Sequence, residues 1–324
     1  MLKNWHDDLK GDPLPWLLEE ENPSARYLAL RYLLDCDDCD SQAADAQAAI
    51  PNWPPVYDIL ALMDPVDFWG QAEKPFYGGA MSTHATLHLL AELGMDLTPQ
   101  IEAACENLLE YGQHANGGFT YDGSTERILL CHTGNAIQTL IHFGYGDDPR
   151  TSRALDYMAE RCTTPDGLTC LYADGGACQW GFVKALGAFA VVPAADRTPD
   201  HERAIEALTS ATLTCPFDFE GQYAAWLDFG FPLDYQSDLT ELCDVLARLD
   251  YGLDPCFQKL LEVMLAEQTA EGRWLKRDGT RALQVEEVGQ PSKWITIRAL
   301  RAIKHTQRSL VRTARIELDD SKFT

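Results

Sequence analysis

The sequence predicts an all-α protein, an α/α toroid of about five helix pairs with an N-terminal helical extension. Three observations predict it. An apolar helical stretch recurs with a period of about 50 residues. A proline follows most of these stretches and suits the first turn of a second helix, at Pro99, Pro149, Pro199 and Pro255. Each second helix then ends in a glycine turn followed by an aromatic or apolar residue, as at Gly118-Phe119.

The two helices of each pair differ in their pattern. The first is apolar on nearly all sides, as in ATLHLLAELG and NAIQTLIHFG, whereas the second carries charges on one face, as in IEAACENLLE and CFQKLLEVMLAEQ. The first helices are therefore expected inside the ring and the second outside. We expect a helical cap or extension over residues 1–64, the toroid over 65–308 and a C-terminal tail over 309–324.

Composition limits the function further. The chain has 324 residues, of which 46% are hydrophobic, so it can form one large core. It shows no export signal and no apolar run long enough for a membrane span, which favours a cytoplasmic protein with reduced cysteines. A net charge of −24 repels polyanions, so no nucleic acid is expected among its partners.

Candidate site residues fall at the starts of the inner helices. Alignment of the apolar patterns gives Ser82, His132, Cys178, Asp238 and Ser292 equivalent positions. Thiolate, imidazole and carboxylate are the donors that zinc selects.

Two further cysteines lie close to these positions, since Cys131 precedes His132 and Cys170 opens the loop that ends at Cys178. The sequence therefore predicts a zinc site formed by Cys131, His132, Cys170 and Cys178. Cys170 is the fourth ligand in this set, and Asp238 or His84 is the alternative to it. In the alternative interpretation the cysteines are small core residues and His132 is a hydrogen-bonded helix start.

Two carboxylates are candidates for acid or base chemistry at the same mouth. Asp174 lies in the loop between Cys170 and Cys178, and Asp238 precedes an apolar helix. The alternative for Asp238 is helix capping, because Glu241 follows three residues later. Aromatic residues expected to line the cavity, or simply to be core, are Trp180, Phe231 and Tyr235.

Two loops carry a resemblance to known families. The segments Gln113 to Phe119 and Gln268 to Trp274 resemble the QW motif of squalene-hopene cyclases and the related repeat of protein prenyltransferase β-subunits. In that motif a glutamine and an aromatic residue after a glycine tie adjacent repeats together. The resemblance covers roughly residues 65–305. It implies a toroid whose central cavity takes a small apolar, isoprenoid-like molecule, a thiol substrate or a peptide.

The same resemblance implies a chemistry. Protein prenyltransferases hold zinc with an Asp, a Cys and a His, and lanthipeptide cyclases use cysteines and an adjacent Cys-His pair, to which Cys131-His132 and Cys178 are similar. One hypothesis is thus a transferase or cyclase of terpenoid cyclase/prenyltransferase type. The other is a non-catalytic binding or scaffold protein with a structural zinc or no metal. A fourth protein ligand would indicate a structural site, and a water there a catalytic one.

Overall fold

The computed structural model describes residues 5–320, apart from residues 38, 165, 215, 222 and 279–282, and the described chain is almost entirely helical. Its helices are α1 (Leu14–Leu17), α2 (Pro23–Tyr32), α3 (Ser41–Ala49), α4 (Pro54–Ala61), α5 (Thr83–Glu92), α6 (Pro99–Gly112), α7 (Leu130–His142), α8 (Pro149–Thr163), α9 (Gln179–Ala190), α10 (Pro199–Thr212), α11 (Leu239–Arg248), α12 (Pro255–Ala266) and α13 (Lys293–Asp320). Short 3-10 turns lie in the loops, and β1 (Trp274–Leu275) pairs with β2 (Pro291–Ser292) in an antiparallel sheet.

Inner and outer helices alternate along the chain as predicted. The inner helices α5, α7, α9, α11 and α13 contact one another in that order, and most of their residues are buried. The outer helices α6, α8, α10 and α12 begin at the four predicted prolines. The residue before each proline, Thr98, Asp148, Thr198 or Asp254, accepts a hydrogen bond from a backbone N–H of the first turn, which fixes where the helix starts.

Helix α2 closes the ring between α13 and α5. It packs on α13, and the Ser24 hydroxyl donates to the Leu93 carbonyl just after α5 at 2.7 Å. The indole N–H of Trp294 in α13 donates to the Ser24 Oγ at 3.3 Å. One cavity on the ring axis is lined by residues of α2, α5, α7, α11 and α13 and by the residue after α9. The predicted α/α toroid is confirmed, with α2 as a sixth inner member.

The two predicted glutamine loops each contact the next segment around the ring through the glutamine side chain. The Gln113 amide donates to the Arg150 carbonyl at the start of α8 at 2.8 Å. The Gln268 side chain instead meets the N-terminal segment, accepting from the Lys10 N–H at 3.1 Å. Residues near Lys10 thus occupy the place that the next outer helix would take. The loop glycine Gly272 has a φ of +72° and lies against the Gly11 backbone, where a Cβ would clash at 2.5 Å.

Trp69 is a third aromatic residue that occupies the position of Phe119 and Trp274 in the two glutamine loops. Its indole N–H donates to the Ile59 carbonyl at 3.0 Å, and that of Trp274 donates to the Met264 carbonyl at 2.9 Å, in each case ten residues earlier. The repeat therefore extends into the N-terminal region, with α4 in the position of an outer helix. The N-terminal residues share one continuous core with the ring.

Helix α13 runs on to Asp320, so the segment expected as a tail begins inside a helix. None of the helices in the described part of the chain is both long and apolar enough to cross a membrane. Most described cysteines are free thiols, but Cys256 is disulfide-bonded, so the expectation of reduced cysteines is wrong for this residue.

Candidate functional site

A cavity of about 730 Å³ opens at the end of the ring where the inner helices begin. It lies between the N-terminal ends of α5, α7, α9 and α11 and the loops that precede them. Its lining is dominated by the aromatic residues Phe76, Tyr121, Tyr172, Trp180, Tyr223, Trp226 and Tyr235. The volume falls within the range of about 300–1,000 Å³ that is usual for small-molecule sites. We call it the mouth cavity.

Three of the five residues in the predicted alignment of helix starts, Ser82, His132 and Cys178, line the mouth cavity. Ser82, Cys178 and Asp238 are the N-cap residues of α5, α9 and α11, and Ser292 directly precedes α13. His132 differs, because the N-cap of α7 is Leu129 and His132 lies within the first turn. Four of the five aligned residues therefore occupy the predicted position.

The mouth cavity is nearly uncharged. Among its lining residues Asp234 is the one Asp, Glu, Lys or Arg in the described chain. Burial lowers the pKa of His132 to about 4 and holds the pKa of His84 well below its usual range, so both imidazoles are neutral at pH 7. Burial likewise raises the pKa of the Cys131 thiol to about 12. The lining thus suits an apolar ligand.

Three of the four predicted zinc ligands are thiols on one side of this cavity. The side chains of Cys170 and Cys178 hydrogen-bond each other, and Cys131 lies near enough to interact electrostatically with both. The Cys170 N–H donates to the Gly176 carbonyl at 2.9 Å, which folds the intervening loop back and brings the two sulfurs together. The three cysteines, which come from two repeats, thus line one cavity.

The arrangement does not amount to a complete ligand set for zinc. In the part of the chain that the structure describes, no three His, Cys, Asp or Glu side chains are grouped so that they could hold a metal ion. Burial also raises the pKa of Cys131 and Cys178, which favours the neutral thiols over the thiolates that bind zinc. The zinc site stays a prediction.

His132 is held by ring contacts. Its ring stacks with Phe76 at a centroid distance of 5.2 Å and with Tyr121 at 5.8 Å, and it lies 5.5 Å from the His84 ring. Within the described residues neither nitrogen of the His132 ring has a hydrogen-bond partner, and its Nδ1 is fully buried. The sequence alternative of a hydrogen-bonded helix start therefore does not hold for this side chain.

The two predicted acid–base residues lie outside the lining of the mouth cavity. Asp238 is 1% exposed and caps α11, since its Oδ1 accepts from the Glu241 N–H at 2.9 Å and from the Thr240 hydroxyl at 2.7 Å. Burial raises its pKa against the opposing charge of Arg298. Asp174 is exposed, in a left-handed backbone conformation with a φ of +49°. The capping interpretation of Asp238 is confirmed, and the catalytic role of both residues stays a prediction.

A network of buried charges occupies the opposite end of the ring axis, around a smaller cavity of about 140 Å³. We call it the axial charge network. Lys184, 0% exposed, contacts Glu241 at 2.8 Å.

The other ion pairs of the network involve arginines. Arg301 binds Asp244 through two hydrogen bonds of 2.5 Å, and Arg248 lies 3.6 Å from the same carboxylate. Arg298 contacts Glu92 at 3.3 Å and Asp238 at 3.7 Å.

Several lining residues were not among the candidates from sequence. Tyr121, Tyr172 and Tyr223 each lie in a loop that leads toward an inner helix, so an aromatic residue at this place in successive repeats was the available signal. Of the aromatic residues expected at the cavity, Trp180 and Tyr235 line it. Phe231 does not, because it is stacked on Trp294 at 4.9 Å beside the axial charge network.

No protein-family model matches the chain, and no curated protein matches it. Among solved structures, a type II terpene cyclase from Scytonema in complex with its substrate, geranylgeranyl dihydroxybenzoate, is 13% identical to this chain. The match covers 90% of this chain and 99% of that one, with a TM-score of 0.32. This similarity is too low to assign the chain to that class of enzyme.

Proposed function

We propose that the protein binds a predominantly apolar small molecule, of the size of an isoprenoid, in the mouth cavity. The observation that carries the proposal is the lining itself, in which the described residues place seven aromatic rings, one carboxylate and no cationic side chain around about 730 Å³. Apolar ligands gain roughly 25 cal/mol for each Å² that they remove from water, and aromatic walls provide large contact areas. An anionic ligand would lose its hydration without finding a cationic partner among the described lining residues.

The proposal can be tested with a neutral apolar fluorophore, N-phenyl-1-naphthylamine, whose emission rises in apolar surroundings. We expect saturable binding with one molecule per chain. Ala225→Trp fills space in the mouth cavity, because Ala225 is exposed and lines it. Affinity should fall at least about tenfold, since the occupied volume excludes part of the probe.

Ala194→Trp is the matched control. Ala194 is also an exposed alanine in a 3-10 turn, but it lies outside the lining. This variant should bind the probe as the unaltered protein does. Non-saturable emission with the unaltered protein, or an equal loss in both variants, would exclude the mouth cavity as the binding site.

A zinc ion is a second candidate for the same site. It is supported by the position of Cys131, His132, Cys170 and Cys178, all of which line the mouth cavity. Zinc would supply Lewis-acid activation of a thiol or a water if these residues hold it. The pairing of Cys170 with Cys178 brings two of the donors together.

The measurement for this candidate is the metal content of protein purified without a histidine tag. About one zinc per chain is expected, and it should be lost in Cys131→Ala and in Cys178→Ala. Cys105→Ala is the control, since Cys105 is buried in α6 away from the mouth cavity. Protein that contains no zinc would refute this candidate and leave the apolar site untouched.

A further inference from the structure

Two cysteines stand at the two ends of one loop beside the mouth cavity. Cys170 and Cys178 are both partly exposed free thiols, and both line the cavity. The residues between them, 171–177, also contribute to the lining, through Tyr172 and Ala173 among others. We call residues 171–177 the cavity loop. Six of its seven residues are exposed, so little of the loop is held by packing against the rest of the protein.

The backbone places the two cysteines on one face of the base of this loop. Thr169 and Ala177 form an antiparallel bridge, and the Cys170 N–H donates to the Gly176 carbonyl at 2.9 Å. Side chains alternate between the two faces of extended backbone, and both cysteines have extended backbone, so Cys170 and Cys178 project on the same side. Their side chains hydrogen-bond each other. The backbone thus holds two thiols side by side.

This arrangement suits a disulfide between the two thiols. Two cysteines can be joined without backbone movement only where their side chains already meet, and hydrogen-bonded thiols satisfy that condition. The protein is not restricted to reduced cysteines, because Cys256 is disulfide-bonded. The third thiol of the mouth cavity, Cys131, is 8% exposed in the first turn of α7 and belongs to a different repeat, so an oxidant reaches it less readily.

We propose that Cys170 and Cys178 form a reversible disulfide that fixes the cavity loop beside the mouth cavity and so retains the bound ligand. The disulfide itself is independent of the proposed function above, whereas its effect on a ligand rests on that function. A disulfide across the ends of a loop removes conformations that the open loop can reach. Because Tyr172 and Ala173 line the cavity, a loop that is already fixed needs less ordering when a ligand binds.

The oxidant for this step is a small disulfide such as oxidised glutathione. One of the two protein thiols, as its thiolate, attacks a glutathione sulfur, which forms a mixed disulfide and releases one glutathione. The other protein thiol then attacks the protein sulfur of the mixed disulfide, so that the new S–S bond forms and the second glutathione leaves. The two thiol protons end on the two released glutathione molecules. The cysteine pair is thereby oxidised, and the glutathione disulfide is reduced.

The test equilibrates the protein in two glutathione buffers, one mostly reduced and one mostly oxidised, after dialysis against EDTA so that no metal protects the thiols. Free thiols are then alkylated, and disulfides are located by peptide mass mapping. We expect a linkage between Cys170 and Cys178 in the oxidised buffer only. N-phenyl-1-naphthylamine should then dissociate more slowly and bind roughly threefold to tenfold more tightly, because the loop is fixed beforehand. Return to the reduced buffer should reverse both changes.

Variants assign the effect to this pair of cysteines. Cys170→Ser and Cys178→Ser cannot form the bond and should bind the probe equally in both buffers, whereas an effect of the buffer on other cysteines would persist in them. Cys39→Ser is the control, since Cys39 is an exposed free thiol outside the cavity lining, and it should keep both the linkage and the response. Cys131→Ala should keep the linkage, which separates the disulfide from a metal site that needs all three thiols.

The outcomes distinguish this inference from the function beneath it. If Cys170 and Cys178 are alkylated in the oxidised buffer, carry only glutathione or are linked to other cysteines, the inference is wrong. If the linkage forms but the probe binds alike in both buffers, the disulfide does not fix the cavity loop and the inference is also wrong. If the probe binds in neither buffer, the proposed function fails and ligand retention fails with it, while the peptide map still shows whether the disulfide forms.

Discussion

The two ends of the ring axis are built from the same helices but have opposite chemistry. At the end where the inner helices begin, the mouth cavity is wide, aromatic and nearly uncharged. Toward the other end, the axial charge network fills a narrow space with paired Lys, Arg, Asp and Glu side chains. Charges are costly to bury unless they are paired, so this network holds neighbouring inner helices together. The described residues that line the mouth cavity form no such pairs and leave room for a ligand.

Removal of a carboxylate from the axial charge network should have the largest effect. Burial alone would raise the pKa of Asp244, but Arg301 and Arg248 outweigh it and lower the pKa, so the group is charged in the fold. Asp244→Asn leaves both arginines without their counter-ion and should lower the free energy of unfolding by about 3–5 kcal/mol. Urea unfolding measures this. A decrease of less than about 1 kcal/mol in the free energy of unfolding would show that the network does not stabilise the ring.

Acid should weaken the fold through the histidines along the axis. Burial lowers the pKa of His88 to about 3 and of His132 to about 4, below the value of about 6.5 in the unfolded chain. The unfolded state therefore binds protons first, and stability that is present above pH 6.5 is lost as the pH falls toward 4.

The change between pH 7 and pH 5 should be roughly 2 kcal/mol for each such histidine. Denaturant unfolding at the two pH values measures it. His88→Gln should reduce the difference by about that amount, because one titrating group is gone. An unchanged pH dependence in this variant would show that His88 does not titrate as expected.

Truncation of one aromatic wall should have a moderate effect, and on binding only. Trp180 lines the mouth cavity and lies 6.5 Å from the Tyr235 ring. Trp180→Ala should weaken N-phenyl-1-naphthylamine binding roughly fivefold, about 1 kcal/mol, with little change in unfolding. Leu253→Ala, an exposed apolar residue outside the mouth cavity, is the control and should bind normally.

The smallest effect is expected at Asp174. Its side chain is exposed, so Asp174→Asn should change the free energy of unfolding by less than about 0.5 kcal/mol. Asp238→Asn should cost more than about 2 kcal/mol, because Asp238 accepts hydrogen bonds from Gly230, Thr240 and Glu241 while buried. Equal effects at the two positions would contradict the structural difference between them.

The fold was predictable because its signals are local and repeated. The prolines at the starts of the outer helices and the glycine turns act within a few residues, and an apolar helix must be buried wherever it lies. The convergence of Cys131, Cys170 and Cys178 was also predictable, since equivalent positions in successive repeats meet at one end of a ring.

The site could be predicted only in part. Asp238 and Cys178 have equivalent places in the sequence pattern, yet one is a buried helix cap and the other lines a cavity. Which side of a helix start faces the ring axis depends on the rotation of that helix against its neighbours, and no local pattern specifies it. Tyr121 and Tyr223 line the cavity because of the paths of the loops that carry them. Those paths also depend on tertiary contacts, which no local pattern specifies.

The sequence by itself determined the repeat, the order of inner and outer helices and the position of the candidate residues at the starts of the inner helices. These follow from helix periodicity and capping, which are short-range effects. The tertiary structure decided that α2 closes the ring, that charges pair at one end of the axis, and that the His132 Nδ1 is buried with no hydrogen-bond partner among the described residues. Each of these depends on contacts between residues far apart in the chain, where packing determines which polar groups are satisfied.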